Sequence, residues 1–191
     1  MTFDHNDHYH ARLLRLVPGG ARTALDVGCG TGRFARRLAA RGLQVDAVDP
    51  AAEVIEAAQL APGVRYHRAD ITGMDLEEGR YDYISCLASI HHVPFGTVAR
   101  LRDALAPGGV LAILGCYPEV SRADHAWSLA AVPVNAVARL ATAGRGTPSP
   151  APVKRPELPL TEIRREAAEL LPGATIRRLL FWRYLLAYRK G

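Results

Sequence analysis

The chain has 191 residues, 49% of them hydrophobic, with 24 Lys and Arg against 19 Asp and Glu, for a formal net charge of +5. That length suits one well-buried domain over 1–191 and cramps a second. No apolar run approaches the roughly 18 residues of a membrane span, and the polar stretch Met1 to His10 carries no secretory signal.

The basic residues are mostly arginines spread along the chain, as at Arg12, Arg15, Arg36 and Arg102, which reads as solvated helix faces. Such a charge permits nonspecific association with nucleic acid without specifying it. Cys29, Cys86 and Cys116 are odd in number, scattered in or beside predicted strands and without metal-ligand spacing. They are expected as buried thiols in a reducing, cytoplasmic compartment.

Asp4-His5-Asn6-Asp7-His8-Tyr9-His10 mixes carboxylates with imidazoles, but polar residues at such a position serve as caps and no distant ligand set accompanies them, so no metal is expected. Tyr9, Leu13, Leu16 and Val17 stand at i, i+4, i+7 and i+8. This spacing predicts an amphipathic helix over 9–17, stopped by Pro18-Gly19-Gly20, in a cap segment 1–20 over the sheet edge.

Ala24 to Gly32 reads Ala-Leu-Asp-Val-Gly-Cys-Gly-Thr-Gly, an apolar strand entering a glycine-rich turn with Asp26 two positions before Gly28. A turn built for a pyrophosphate offers bare N–H groups and the positive end of a helix. A carboxylate at its mouth repels that ligand and favours a cation. Gly28, Cys29, Gly30, Thr31 and Gly32 give G-x-G-x-G, whereas the dinucleotide fingerprint wants its third glycine at Arg33. Charge and spacing together favour S-adenosylmethionine, a sulfonium and ammonium without phosphate, over NAD.

A helix over 32–41 follows, then a strand over 44–49 closed by Asp49-Pro50. Asp49 stands about 20 residues beyond the turn, where an acid accepts hydrogen bonds from both ribose hydroxyls of either cofactor. A helix over 52–60, a strand over 64–69 ahead of Asp70-Ile71, a strand over 81–87, a helix over 97–105 and a strand over 110–116 continue the alternation. That pattern demands a parallel sheet with right-handed crossovers in an α/β fold.

Residues 117–159 form an insertion, helix-like over 123–143 and rich in Pro, Gly and Ser over 144–159. It reads as a substrate lid, as a helix that covers the sheet, or as a membrane-surface attachment. A helix over 161–171 leads to 174–188, apolar and basic without Gly or Pro, whose periodicity suits either two antiparallel strands or a helix.

The glycine loop, Asp49-Pro50, Asp70-Ile71, the tail Leu87-Ala88-Ser89-Ile90-His91-His92-Val93-Pro94 and the turn Leu105-Ala106-Pro107-Gly108-Gly109 stand in the order of the class I S-adenosylmethionine-dependent methyltransferases, which the chain resembles from about Leu25 to its end. The resemblance implies a Rossmann-like, doubly wound, mostly parallel seven-stranded sheet ending in an antiparallel hairpin. It implies Asp70 on the adenine amine, Ile71 on the adenine face, the Leu87 backbone on the cofactor's ammonium, and Tyr9 as an aromatic over the cofactor. The His-His-Val tail is similar to that of methyltransferases acting on small molecules. Enzymes that methylate exocyclic nucleobase amines often carry Asn/Asp-Pro-Pro-Tyr/Phe there instead, so nucleic acid is not the expected substrate.

Methyl transfer from a sulfonium is an in-line displacement that holds the acceptor about 3 Å from the methyl group. A base with a pKa near 7 removes a proton from a neutral hydroxyl or a protonated amine. His91 and His92, just after the fourth strand, each read as that base or as a structural histidine bonded to a neighbouring loop. A nucleic-acid methyltransferase, a nicotinamide oxidoreductase and a noncatalytic binding module remain as alternatives.

Overall fold

Residues 5–120, 155–180 and 182–191 are described by a computed structural model. In chain order the elements are α1 (His5–Leu14), β1 (Thr23–Val27), α2 (Arg33–Ala39), β2 (Gln44–Asp49), α3 (Ala52–Glu56), β3 (Val64–Arg68), β4 (Tyr81–Leu87), a 3-10 turn (Ile90–His92), α4 (Thr97–Asp103), β5 (Leu105–Cys116), α5 (Leu160–Leu170), β6 (Thr175–Arg178) and β7 (Arg183–Arg189).

The strands make one seven-stranded sheet in the order β3-β2-β1-β4-β5-β7-β6. The first five run parallel, and β7 is antiparallel to both β5 and β6. The expected parallel sheet with a terminal antiparallel hairpin is therefore present. Because the strand order reverses beside β1, the ends of β1 and β4 open a crevice at the carboxyl edge, where ligands of such sheets bind.

Both faces of the sheet are covered, which is why the central strands read as nearly continuous apolar runs. On one face Leu25, Ile84, Leu111 and Ile113 pack with Val98 and Leu101 of α4 and Ile163 and Ala167 of α5. On the other, Ala24, Tyr83, Ala112 and Leu114 pack with Leu13 of α1 and Phe34, Ala35 and Leu38 of α2.

Two helices end three or four residues earlier than expected. The Leu13 carbonyl accepts from the Leu16 N–H and the Tyr83 hydroxyl, and the Leu14 carbonyl accepts from Arg41, so the last turn of α1 is capped at Leu14 rather than continuing to Val17. Helix α3 stops at Glu56 rather than running to Leu60: its last turn closes with the Ala57 N–H on the Glu53 carbonyl and the Ala58 N–H on the Ile55 carbonyl, and Leu60 is 90% exposed. Strand β5 begins at Leu105, ahead of the expected Val110, because Leu105 already pairs with Tyr81 across an irregular register.

The start of β4 is tied to β1 by Asp82, whose carboxylate accepts from the Arg22 and Thr23 N–H groups and the Thr23 hydroxyl. Of the expected insertion over 117–159, residues 121–154 lie outside the described residues, and with them the helix over 123–143 and most of the loop after it.

Candidate functional site

The glycine turn follows β1 at the carboxyl edge, and four of its backbone hydrogens are engaged within the protein. The Gly28 and Cys29 N–H groups donate to the Val48 carbonyl at 2.8 and 3.0 Å, the Gly30 N–H to Asp49 Oδ2 at 3.0 Å, and the Gly32 N–H to the Cys29 carbonyl at 3.0 Å. An anion-binding nest needs such hydrogens pointing outward. This turn commits three of those hydrogens to β2 and one to itself, which leaves fewer to offer a pyrophosphate.

Two of its glycines are required for different reasons. Gly28 lies at φ 68° with a Cβ position inside the Ser89 side chain, so only glycine lets the loop after β4 close on it. Gly30 lies at φ 54° with nothing within 4 Å of its Cβ position, which leaves its outer face clear for a ligand to approach the backbone. Ser89 is aimed there by Ala88, a residue with φ 52°, and its hydroxyl donates to the Val27 carbonyl at 2.6 Å.

Asp49 closes the turn from β2. It is 9% exposed, and its Oδ1 accepts the Ala51 N–H at 3.0 Å while Oδ2 holds Gly30. A carboxylate oxygen has a second lone pair, so each retains capacity for a hydroxyl donor. Pro50, exposed beside it, ends the strand.

Asp26 departs from its expected place. Rather than standing at the mouth, it is 2% exposed beneath the turn, with Ser85 donating to its Oδ1 at 2.7 Å. Burial pushes its pKa up to about 7, against the opposing hydrogen bonds of Ser85 and the Ala35 backbone, with the nearby Asp49 charge adding to the rise. The physical reason is strand alternation: Leu25 and Val27 face α4, which turns Asp26 toward the first turn of α2. Its carboxyl is therefore poised to ionise near neutrality. Cys29, half-buried, has its thiol pushed up by burial and by the two acids and is held protonated.

Beyond β3, Asp70 is exposed and its Oδ1 accepts both the N–H and the hydroxyl of Thr72 at 2.8 Å, bonds that hold its carboxyl below the usual range. Ile71 is 5% exposed and packed in the core cluster with Ile90 and Phe95. Leu87 is half-buried at the end of β4, opposite Leu114 of β5.

His91 is half-buried and His92 exposed in the 3-10 turn, with ring centroids 4.3 Å apart and a 40° tilt. Tyr9 is 6% exposed, and its hydroxyl donates to the Leu180 carbonyl at 3.1 Å, between β6 and β7. Burial raises its pKa against the nearby arginines. Tyr9 thus reaches the edge from α1 and is anchored on the hairpin side.

Sequence reasoning passed over Ser85 and Ser89. Ser85 pairs with Asp26 in the β1–β4 register, a parallel pairing that no local pattern announces. Ser89 stands within the tail after β4, and its contact with Gly28 depends on the loop's return over the turn.

Residues 24–109 match the family described as Methyltransferase domain. The chain is 38% identical over 191 residues to an uncharacterized methyltransferase of Mycobacterium tuberculosis, covering 96% of this chain and 95% of the relative. It is 35% identical over 138 residues to a ubiquinone biosynthesis O-methyltransferase of Xanthomonas axonopodis pv. citri, covering 68% of this chain and 56% of that relative. A putative S-adenosylmethionine-dependent methyltransferase of Listeria monocytogenes shares the fold, with a TM-score of 0.68 at 14% identity over 97% of this chain and 98% of the other. The chain belongs to the class I S-adenosylmethionine-dependent methyltransferases, and S-adenosylmethionine is its methyl donor.

Proposed function

We propose that this enzyme methylates a small-molecule acceptor at an oxygen, nitrogen or carbon, at the carboxyl edge between the glycine turn and the 3-10 turn. The observation that carries the cofactor site is the engagement of the turn's N–H groups by Val48 and Asp49, together with the open face of Gly30. Such a turn suits a ligand recognised by acids rather than by bare amides.

In this assignment Gly28, Cys29 and Gly30 line the amino-acid end of the cofactor, and Asp26 beneath them balances its cationic charge. Asp49 accepts from the ribose hydroxyls, with Pro50 fixing the strand end beside it. Asp70 accepts from the adenine amine, Ile71 supplies the apolar contact to the ring, the Leu87 backbone accepts from the ammonium, and Tyr9 closes the side nearest the hairpin. Bound S-adenosylmethionine supplies an electrophilic methyl group on a sulfonium. The chain's own contribution is to hold the acceptor in line, to exclude water, and to take up the acceptor's proton on His91 or His92.

A small acceptor is favoured over a nucleobase because Ser89-Ile90-His91-His92 stands after β4 in place of the Asn/Asp-Pro-Pro-Tyr/Phe segment that enzymes methylating exocyclic nucleobase amines often carry there. We assign 1–191 to one methyltransferase domain, with 1–20 as its cap; most of the insertion over 117–159 lies outside the described residues. The three cysteines are free thiols, consistent with residence in the reducing cytoplasm. Among the described residues no helix is long and apolar enough to cross a membrane.

Incubation with methyl-labelled S-adenosylmethionine and a panel of phenols, amines and short RNAs tests the assignment. Label in a small molecule supports it; label confined to RNA overturns it. Parallel titrations with S-adenosylhomocysteine and NADH should give saturable binding of the first alone.

A further inference from the structure

The turn after β3 is held by a residue from a distant element. Arg100, half-buried in the middle of α4, donates from Nη1 to the carbonyls of Ile71 at 2.9 Å and Thr72 at 2.5 Å, and from Nη2 to the Met74 carbonyl at 2.5 Å. The same turn is closed from inside by the Gly73 and Met74 N–H groups on the Asp70 carbonyl, at 3.1 and 3.0 Å, and by Thr72 on the Asp70 carboxylate. Three convergent carbonyls thus meet one planar cation, whose fixed fork of donors reaches all three from two nitrogens.

We propose that Arg100 is a positioning residue for adenine recognition: it locks the turn 71–74 so that Asp70 and Ile71 are presented in fixed orientation to the base. This rests on the assignment of Asp70 to the adenine amine made above. Asp70 is exposed, so little packing sets its direction, and the turn that Arg100 braces does so instead. Helix α4 begins five residues after the His91-His92 pair and is anchored in the core by the buried Val98 and Leu101, so the brace ties the adenine side of the cleft to a rigid element beside the acceptor side. Hydrogen bonds from a charged donor are about twice as strong as neutral ones. Their loss frees the turn without removing any group that touches the cofactor.

The test compares Arg100→Gln, Arg100→Lys and Asp70→Asn with the wild type by calorimetric titration. The two probes are S-adenosylhomocysteine and S-inosylhomocysteine, in which a carbonyl oxygen replaces the exocyclic amine. Arg100→Gln should weaken S-adenosylhomocysteine about tenfold and collapse its advantage over the inosyl analogue. Amide exchange should accelerate at 71–74 while the central strands stay protected. Arg100→Lys keeps the charge and stem, guards against a misfolded Gln variant, and should show the same loss of discrimination in smaller measure. If the Arg100 variants retain affinity and discrimination within twofold while Asp70→Asn loses both, the positioning role is overturned and the Asp70 assignment survives. If Asp70→Asn itself binds both probes like the wild type, that assignment fails and the inference falls with it.

Discussion

Replacing Asp26 by Asn isolates the contribution of a buried acid whose pKa lies at about 7. A cationic ligand above it binds best when the acid is ionised, and ligand binding in turn lowers the pKa, so binding below neutrality releases a proton. With a pKa of about 7, roughly one tenth of the free protein is ionised at pH 6 and roughly nine tenths at pH 8. The affinity for S-adenosylmethionine, which carries the sulfonium, is therefore expected to rise about tenfold across that interval in the wild type. Asn keeps the shape and the Ser85 contact but cannot ionise, so its affinity should be weaker at pH 8 and nearly level with the wild type at pH 6. Isothermal titration at several pH values, in buffers of different ionisation enthalpy, reads both the affinity and the proton release. Titration of the ligand's own amine enters both proteins alike and drops out of their ratio. A wild-type to variant ratio that stays flat from pH 6 to 8 would refute the electrostatic role of Asp26.

The same raised pKa has a consequence for folding. Because the folded state holds the proton more tightly than the unfolded one, the stabilisation is complete below about pH 4 and is lost as pH rises through about 7. Chemical denaturation should show wild-type stability falling relative to Asp26→Asn over that window, by roughly 4 kcal/mol at most; a gap moving the other way contradicts the burial. Gly30→Ala at φ 54° should cost about 1 kcal/mol, a few degrees in Tm, yet abolish most cofactor binding. Gly28→Ala, colliding with Ser89, should cost more stability. With a true acceptor, one of His91→Ala and His92→Ala should lower kcat about 10²-fold with cofactor affinity unchanged; near wild-type kcat in both excludes base catalysis. Asp46, 4% exposed and bonded to Arg65, His67, Arg80 and Tyr81, has its pKa lowered because those partners outweigh burial. Asp46→Asn should cost about 2 kcal/mol at pH 7 in thermal melts, a difference that shrinks as acid protonates the wild-type carboxylate.

Local spacing in the sequence is enough to bring part of the candidate site together. Gly28, Gly30 and Asp49 sit within one strand-turn-helix-strand unit, so spacing alone puts them at one edge, and Asp49 does meet Gly30. Alternation of apolar runs fixed the parallel sheet, while the terminal hairpin came from resemblance because the stretch over 174–188 suits two periods. What stayed hidden depends on contacts distant in sequence. The orientation of Asp26 follows from which face of β1 meets α2, and its partner Ser85 lies 59 residues away. Arg100 reads as one more solvated arginine until the turn after β3 is seen beneath it, 26 to 29 residues upstream. The expected helix over 52–60 is longer than α3, because Leu60 is exposed and packs nothing that would hold a further turn.

A crystal structure of the enzyme with S-adenosylhomocysteine is the most direct test of the site. The account predicts the ribose hydroxyls on Asp49, the adenine between Asp70 and Ile71, and the amino-acid end over Gly28 and Gly30 above Asp26. A ligand seated elsewhere on the sheet, or one whose ribose lies beyond hydrogen-bonding reach of Asp49, would contradict it.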